Sequence, residues 1–242
     1  MSAHSKPVQK KDHFAFYMDL LGHDVLNNNQ AVLSYLELIA ATPGVDKKVK
    51  AFAEKAVSHV RTSTVLIDNV KRLIASRDIE PEKLKPIDLV KSVERAESDL
   101  RRHFPAKRIR FETPAMPKSA TVLGNNHASD LVLNVFITAV RLNPGDDIVL
   151  SVTLAEERFR GKPAWTMRVE DKNAQLPPFL DGEGVSATYS QDISTAVKTT
   201  GVLFAKMLAE SLGGDFEARS LYHDPKRRGA LFTVILRRGE KL

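Results

Sequence analysis

Apolar side chains recur at alternating steps of three and four along the start of the chain, through Phe14, Met18, Leu21, Val25, Val32, Leu36 and Ile39. That is the period of an amphipathic helix, and it runs from about Lys11 to Ala41, where Thr42-Pro43-Gly44 breaks it. A second stripe of the same kind follows through Val49, Phe52, Ala56, Val60, Ile67, Val70 and Ile74. Two long helices joined by a short turn make an antiparallel hairpin. One such hairpin leaves too wide an apolar seam uncovered, so the pattern predicts that two copies pair into a four-helix bundle, a homodimer.

The polar side of the first helix carries the chemistry. At about 100° per residue, His23 points about 180° away from Phe14, into water. Asp24 follows it directly, and Asn27 and Gln30 lie further along the same wet face. A neutral imidazole is nucleophilic near neutral pH and makes an N–P bond that is easily broken again, which suits it to carrying a phosphoryl group. Asp24 can hold one ring nitrogen in a fixed tautomer. Asn27, a turn on, can orient an incoming phosphate or an attacking water.

Beyond the hairpin the pattern changes. Residues 1–10 read as a disordered lead-in, 11–78 as the hairpin, and 79–86, with the prolines of Ser76–Pro86, as a linker. Residues 87–242 read as a second domain of mixed helices and strands. Helices are expected over Ile87–Phe104, Asn126–Arg141 and Ala196–Leu212, the last stopped by Gly213-Gly214. Leu131, Val135 and Ala139 share one face of the middle helix. Strands are expected over Arg108–Glu112, Ile148–Leu154, Trp165–Glu170, Asp215–Ser220 and Ala230–Arg237. A loop rich in Gly, Ser and Asp, containing Gly182 and Gly184, runs from about Gln175 to Thr195. The fold class is therefore α+β, a helical hairpin followed by an α/β sandwich.

Composition narrows the function. The chain contains no cysteine, which removes disulfides, thiol nucleophiles and thiolate metal sites. It has neither an apolar run of membrane-spanning length nor a signal-peptide core, so no membrane partner is expected and the location expected is cytoplasmic. The net charge of +6 comes with acids mixed through the chain, and the Lys107-Arg108-Arg110 and Lys226-Arg227-Arg228 clusters flank strands. No nucleic-acid partner is expected from charge without a binding motif. The other histidines, His13, His59, His103, His127 and His223, have no ligand spacing, so no metal site is expected.

The order of these segments, from about residue 11 onward, resembles the core of the two-component histidine kinases. His23, Asp24 and Asn27 are similar to that family's phospho-acceptor box, a histidine followed by an acid and, four residues later, a polar side chain. LVLNVFITAVRLNP resembles the asparagine-bearing helix of the GHKL-type ATP-binding domain. VEDKNAQLPP and TTGVLFAKMLAESLGG resemble its two glycine boxes, and GALFTVILRR its last strand. The resemblance implies an ATP site at Asn134, Asp171 and Gly201, Asp171 being the acid that would read the adenine amino group.

This sequence also departs from that pattern. Thr138 stands where the resemblance implies a metal-binding asparagine, and Lys172, Asn173, Ala174 and Gln175 stand where it implies a glycine-rich turn. Thr199 replaces a further glycine. A phosphate-cradling turn needs exposed backbone N–H groups and residues free to take positive φ. The expectation is a histidine phosphotransferase that requires no cofactor and moves phosphate between response-regulator receiver domains through His23. Two alternatives stay open. One is a soluble kinase that autophosphorylates from ATP and Mg²⁺ at an atypical site, and the other a dimeric scaffold that binds receivers without chemistry.

Overall fold

The structure is a computed structural model that describes residues 10–77, 84–125, 127–181, 193–222 and 228–239. It divides into two compact units, Met1–Ala75 and Ser76–Leu242. The lead-in, most of the linker, and Gly182 and Gly184 lie outside the described residues.

The first unit is a pair of helices, α1 over Lys10–Ala41 and α2 over Lys47–Arg77. Gly44 turns the chain between them with a φ of 81°, a conformation that disfavours side chains with a Cβ. Asp46 then caps α2, its carboxylate accepting from the Lys48 amide at 2.7 Å. Three cross-links fix the antiparallel register. Lys71 lies over Gly22, Asn29 donates to Thr64 Oγ1 at 3.1 Å, and Arg61 pairs with Glu37 at 2.9 Å. Val25, Val32, Tyr35, Leu38 and Ile39 of α1, with Val49 and Phe52 of α2, stay exposed, Phe52 by 70%.

The second unit begins with β1 (Lys85–Asp88) and α3 (Leu89–His103), where Asp88 accepts from the Val90 amide and so caps the helix. Next come β2 (Arg108–Ala115), β3 (Thr121–Gly124), α4 (His127–Leu142), β4 (Asp147–Phe159) and β5 (Lys162–Asp171). After one 3-10 turn, α5 (Ile193–Ser211), β6 (Asp215–Ser220) and β7 (Ala230–Arg237) complete it. The main sheet has the order β2-β4-β5-β7-β6, antiparallel except for the β2–β4 pair, and β1 pairs with β3 in a separate ribbon.

The sandwich is held by apolar side chains between α3, α4 and α5 and one face of the sheet. Leu131, Val135 and Ala139, on one face of α4, are fully buried, as are Leu150, Met167, Phe232 and Val234 of the sheet, and α4 touches β5 and β7. α5 ends at Gly213, in positive φ, where Gly214 N–H bonds back to Ala209 and Gly213 N–H to Glu210. The bounds of β6 and β7 match the sequence expectation. The strand β1 does not: the sequence placed Ile87 and Asp88 in a helix and Lys85 and Pro86 in a linker, and β3 was not anticipated. Both are four-residue strands, too short to show a period. Pro86 is tolerated because the β1–β3 ribbon is only two strands wide.

Candidate functional site

His23 stands on α1 with 68% of its side chain exposed, and Asp24 beside it with 65%. Counted round the helix it lies about 160° from Val25 and Ile39, about 180° from Val32 and about 60° from Leu38. Nδ1 is 3.4 Å from Asp24 Oδ1 and 3.2 Å from Asn27 Nδ2, whereas Nε2 is 3.5 Å from the same amide. Only one contact at Nδ1 is a hydrogen bond in any one tautomer. With a proton on Nδ1 the ring donates to Asp24, and Asn27 is left to donate to Nε2. Nε2 then holds the ring's one lone pair, which the Asn27 amide must release before it can attack phosphorus from the water side. The three residues singled out in the sequence are thus together, on an open surface.

A buried cluster in the second unit holds the others. Asn134 in α4 is almost wholly buried, and its Nδ2 donates to the Gly201 carbonyl of α5 at 2.7 Å. Thr138, one turn on, donates its hydroxyl to the Asn134 carbonyl at 2.7 Å. Gly201 is the reason the two helices approach so closely: a Cβ there would come within 2.4 Å of Thr138 Oγ1. Asn134 and Gly201 therefore meet, but across a helix contact. Position 199 also lies within α5, so the segment that the resemblance presents as a glycine box is helix interior, with its N–H groups committed to the helix.

Asp171 ends β5 with only 1% exposure. Asn143 Nδ2 donates to both its carboxylate oxygens, at 3.0 and 2.8 Å, and the Asn173 and Ala174 amides donate to Oδ1 at 2.8 and 3.2 Å. This is an Asx turn stapled to the end of α4. Asn143 lies nine residues beyond Asn134, about 13 Å along the chain at the helical rise. Asp171 and the Asn134–Gly201 contact are therefore two separate clusters.

The polar groups that a nucleotide and its metal ion would use are partly engaged within the protein. Asp171 is 1% exposed, with Oδ1 accepting from Asn143, Asn173 and Ala174 and Oδ2 from Asn143, while Asn134 Nδ2 and the Thr138 hydroxyl are turned onto backbone carbonyls. Among the described residues no cluster of three or more His, Asp or Glu could hold a metal ion. No helix of the described residues is long and apolar enough to cross a membrane.

Sequence reading missed three residues. Asn143 is one; the Asn-Pro pair at the helix end signalled a turn, but nothing in the sequence joined it to an acid 28 residues away. Arg141, in the last turn of α4, has a guanidinium whose pKa burial pushes down, and it makes no hydrogen bond or ion pair among the described residues. Lys71 is the third. Its signal was the isolated Gly22 inside a long helix, which usually has a packing reason.

No protein-family model matches the sequence, and no curated protein matches it either. Solved structures do. Full-length ShkA, solved in complex with AMPPNP, is 15% identical with a TM-score of 0.56, over 93% of this chain and 47% of that one. The chain thus spans about half the length of ShkA. The Acinetobacter baumannii histidine kinase AdeS is 12% identical over 89% of this chain and 98% of its own, with a TM-score of 0.48. The mycobacterial sensor histidine kinase MprB is 15% identical over 65% and 99%, with a TM-score of 0.49. Of these three, only ShkA has a TM-score above 0.5, and what it shows is a shared α+β fold with a mixed sheet.

Proposed function

We propose that this protein is a dimeric histidine phosphotransferase of a two-component phosphorelay, passing phosphoryl groups to and from response-regulator aspartates through His23. One observation carries the reading. The residues that would bind ATP in a protein of this fold already engage one another, Asn134 with Gly201 and Asp171 with Asn143, while the candidate acceptor His23 is open to water. An exposed nucleophile beside a closed nucleotide site suits phosphate that arrives on another protein.

In the transfer, the Nε2 lone pair forms the N–P bond as the P–O bond to the receiver's aspartyl carboxylate breaks and its electron pair leaves on that carboxylate. The Nδ1 proton stays on the ring, held by Asp24, which stabilises the imidazolium that develops. The transition state of phosphoryl transfer is loose, so positioning and charge do most of the work. Asn27 directs the ring and orients water. The exposed apolar seam of Val25, Val32, Ile39 and Phe52 supports pairing of two hairpins into a four-helix bundle, which leaves His23 on its outside.

A second reading, autophosphorylation from ATP, draws support from Arg141, whose half-buried guanidinium is chemically suited to a phosphate. Two incubations separate the readings. A phosphorylated receiver domain should place label on His23 and not on His23→Ala, and failure with every cognate receiver would leave a receiver-binding scaffold. Strong self-labelling from γ-labelled ATP and Mg²⁺ that vanishes in His23→Ala would make the protein a kinase.

A further inference from the structure

We propose that the free edge of β2 is a docking site for an extended acidic segment of a partner protein, which adds to the main sheet as a further strand beside residues 108–112. This goes beyond the reading of His23 and does not depend on it. β2 ends the sheet, with β4 on one side and, among the described residues, no strand on the other. The Arg108 amide donates to the Asp146 carbonyl at 2.8 Å, which fixes the direction of the groups that follow. In a parallel ladder alternate residues face the neighbour. Arg108, Arg110 and Glu112 therefore bond towards β4, and the N–H and C=O groups of Ile109 and Phe111 point away from it.

The two edges of the sheet are finished differently. At β6 carboxylates take outward amides: Phe216 N–H donates to Asp215 Oδ1 at 2.8 Å and Ser220 N–H to Asp181 Oδ1 at 2.9 Å. At β2 the amides of Ile109 and Phe111 meet no acceptor among the described residues, and the side chain that covers the edge is itself a donor. Arg101 of α3 reaches over Phe111, 6.0 Å from its ring centroid, and donates Nη1 to the Ile109 carbonyl at 2.9 Å. That side chain is 55% exposed and a carbonyl has a second lone pair, so an incoming N–H can share the site or take it over. Ile109 is buried and the Phe111 ring lies 5.1 Å from that of Phe136 in α4, so both face the helices. Arg108, Arg110 and Glu112 are exposed on the other face. The open edge stops at Pro114 and at the bulge between Glu112 and Ala115.

Charge selects the occupant. Five of the ten residues 101–110 are Lys or Arg and none is acidic, so a strand laid along them meets a positive field. Asp147 pairs with Arg108 and Asp99 with Arg102, while Arg110 makes no hydrogen bond or salt bridge among the described residues. A second copy of the chain is the wrong occupant. In the two-fold antiparallel register that pairs Ile109 with Phe111 across the edge, Arg110 falls opposite its own counterpart, with Cα atoms about 4.5 Å apart. Like charges directly opposite destabilise a strand pair, and an acidic residue in that place is attracted instead. The alternating N–H and C=O groups of the edge match another extended polypeptide, which gains affinity from the ladder and selectivity from the side chains.

The test titrates the full-length, ¹⁵N-labelled protein with a short capped peptide that alternates glutamate with valine, and follows the amide chemical shifts. Saturable shifts are expected at Ile109 and Phe111, and much smaller ones at Arg108 and Arg110, whose amides are held by β4. In the free protein the same alternation should appear as fast and slow hydrogen exchange. A peptide methylated on its edge-facing backbone nitrogens keeps the charge, loses the ladder and should not bind. Arg110→Glu should weaken the glutamate peptide about tenfold and take up the matching lysine peptide in its place. Equal binding of the methylated peptide would make the edge a charged patch open to any polyanion, and overturns the proposal. Equal binding of the lysine peptide by wild type does the same, as does an absence of shifts at Ile109 and Phe111. Slow exchange of those two amides in the free protein is the remaining refutation: if it depends on protein concentration a second copy holds the edge, and if it does not the chain covers the edge itself.

Discussion

Replacing Gly201 by alanine is the sharpest probe of whether α4 and α5 are locked together where a nucleotide would enter. On a solvated helix the change would stabilise, by about 1 kcal/mol of helix propensity. Here the added methyl meets Thr138 Oγ1 at 2.4 Å, with Thr138 Cβ and Cγ2 at 3.4 and 3.5 Å. Overpacking of that kind costs about 1–3 kcal/mol. The threonine can escape by rotating, but only by giving up its bond to the Asn134 carbonyl, worth about 1 kcal/mol. Net destabilisation of about 1–2 kcal/mol is therefore expected, about 2–8 °C in melting temperature for a unit of this size. Trp165, the single tryptophan of the chain, is buried in β5 and reports on the second unit alone, so thermal melts followed by its fluorescence are the assay. Removing the obstacle completes the cycle: in a Thr138→Ala background the same glycine change should be neutral or stabilising, a coupling of about 1–3 kcal/mol. Gly201→Ala that melts at or above wild type in the original background refutes the close contact, and with it the argument that this site is shut.

Asp171→Ala should destabilise the second unit by about 2–4 kcal/mol with no nucleotide present, since it strands the buried Asn143 and Ala174 amides and frees that of the exposed Asn173; a neutral result in urea titrations followed by Trp165 would mean that the acid is kept for a ligand. Phe52→Glu should convert the protein to monomers in light-scattering chromatography, and an intact dimer would place the interface on another face. Hydrogen bonds from Arg168 and then Thr166 hold the Glu157 carboxyl below its ordinary value of 4.5. A carboxyl depressed in the folded state contributes stability above its unfolded pKa and loses it as pH falls through the folded one. The group is largely exposed, so the contribution is at most about 1 kcal/mol. Melting curves of wild type and Glu157→Gln should therefore differ at pH 6 and converge below pH 4; a constant gap would refute the assignment.

The parts of the fold legible in the sequence were those with a long period. The two hairpin helices, α4 and the paired strands β6 and β7 repeat their pattern over enough residues for sterics and burial to leave a trace. The strands β1 and β3 are four residues each and leave none. In the candidate site the split is the same. His23, Asp24 and Asn27 are neighbours on one helix, so their meeting follows from helical geometry alone. The pairings of Asn143 with Asp171, Asn134 with Gly201 and Lys71 with Gly22 join residues 28 to 67 positions apart. Such contacts depend on how elements pack, which local patterning does not encode. Gly201 shows the consequence: the resemblance offered it as a phosphate turn, whereas its place inside α5 makes it a point of helix contact.

The retained acid also has a physical account without a nucleotide. Asp171 closes the turn after β5, and Asn143, which grips it, accepts from the Gly145 amide through its own carbonyl at 2.8 Å. Lys107 Nζ donates to the Gly145 carbonyl at 2.7 Å, the Gln175 amide to the Leu142 carbonyl at 2.8 Å, and the Gly229 amide to the Ala174 carbonyl at 2.9 Å. The end of α4, the end of β5 and the approach to β7 are thereby tied through one carboxylate. An adenine amino group could reach Asp171 at the second lone pair of Oδ2 or by displacing the Asn143 amide, and the second route gives up a bond to a charged acceptor worth about 1.5–3 kcal/mol. Unless a new donor replaces it, that loss weakens binding by about 10-fold to 150-fold relative to a site whose acid is free.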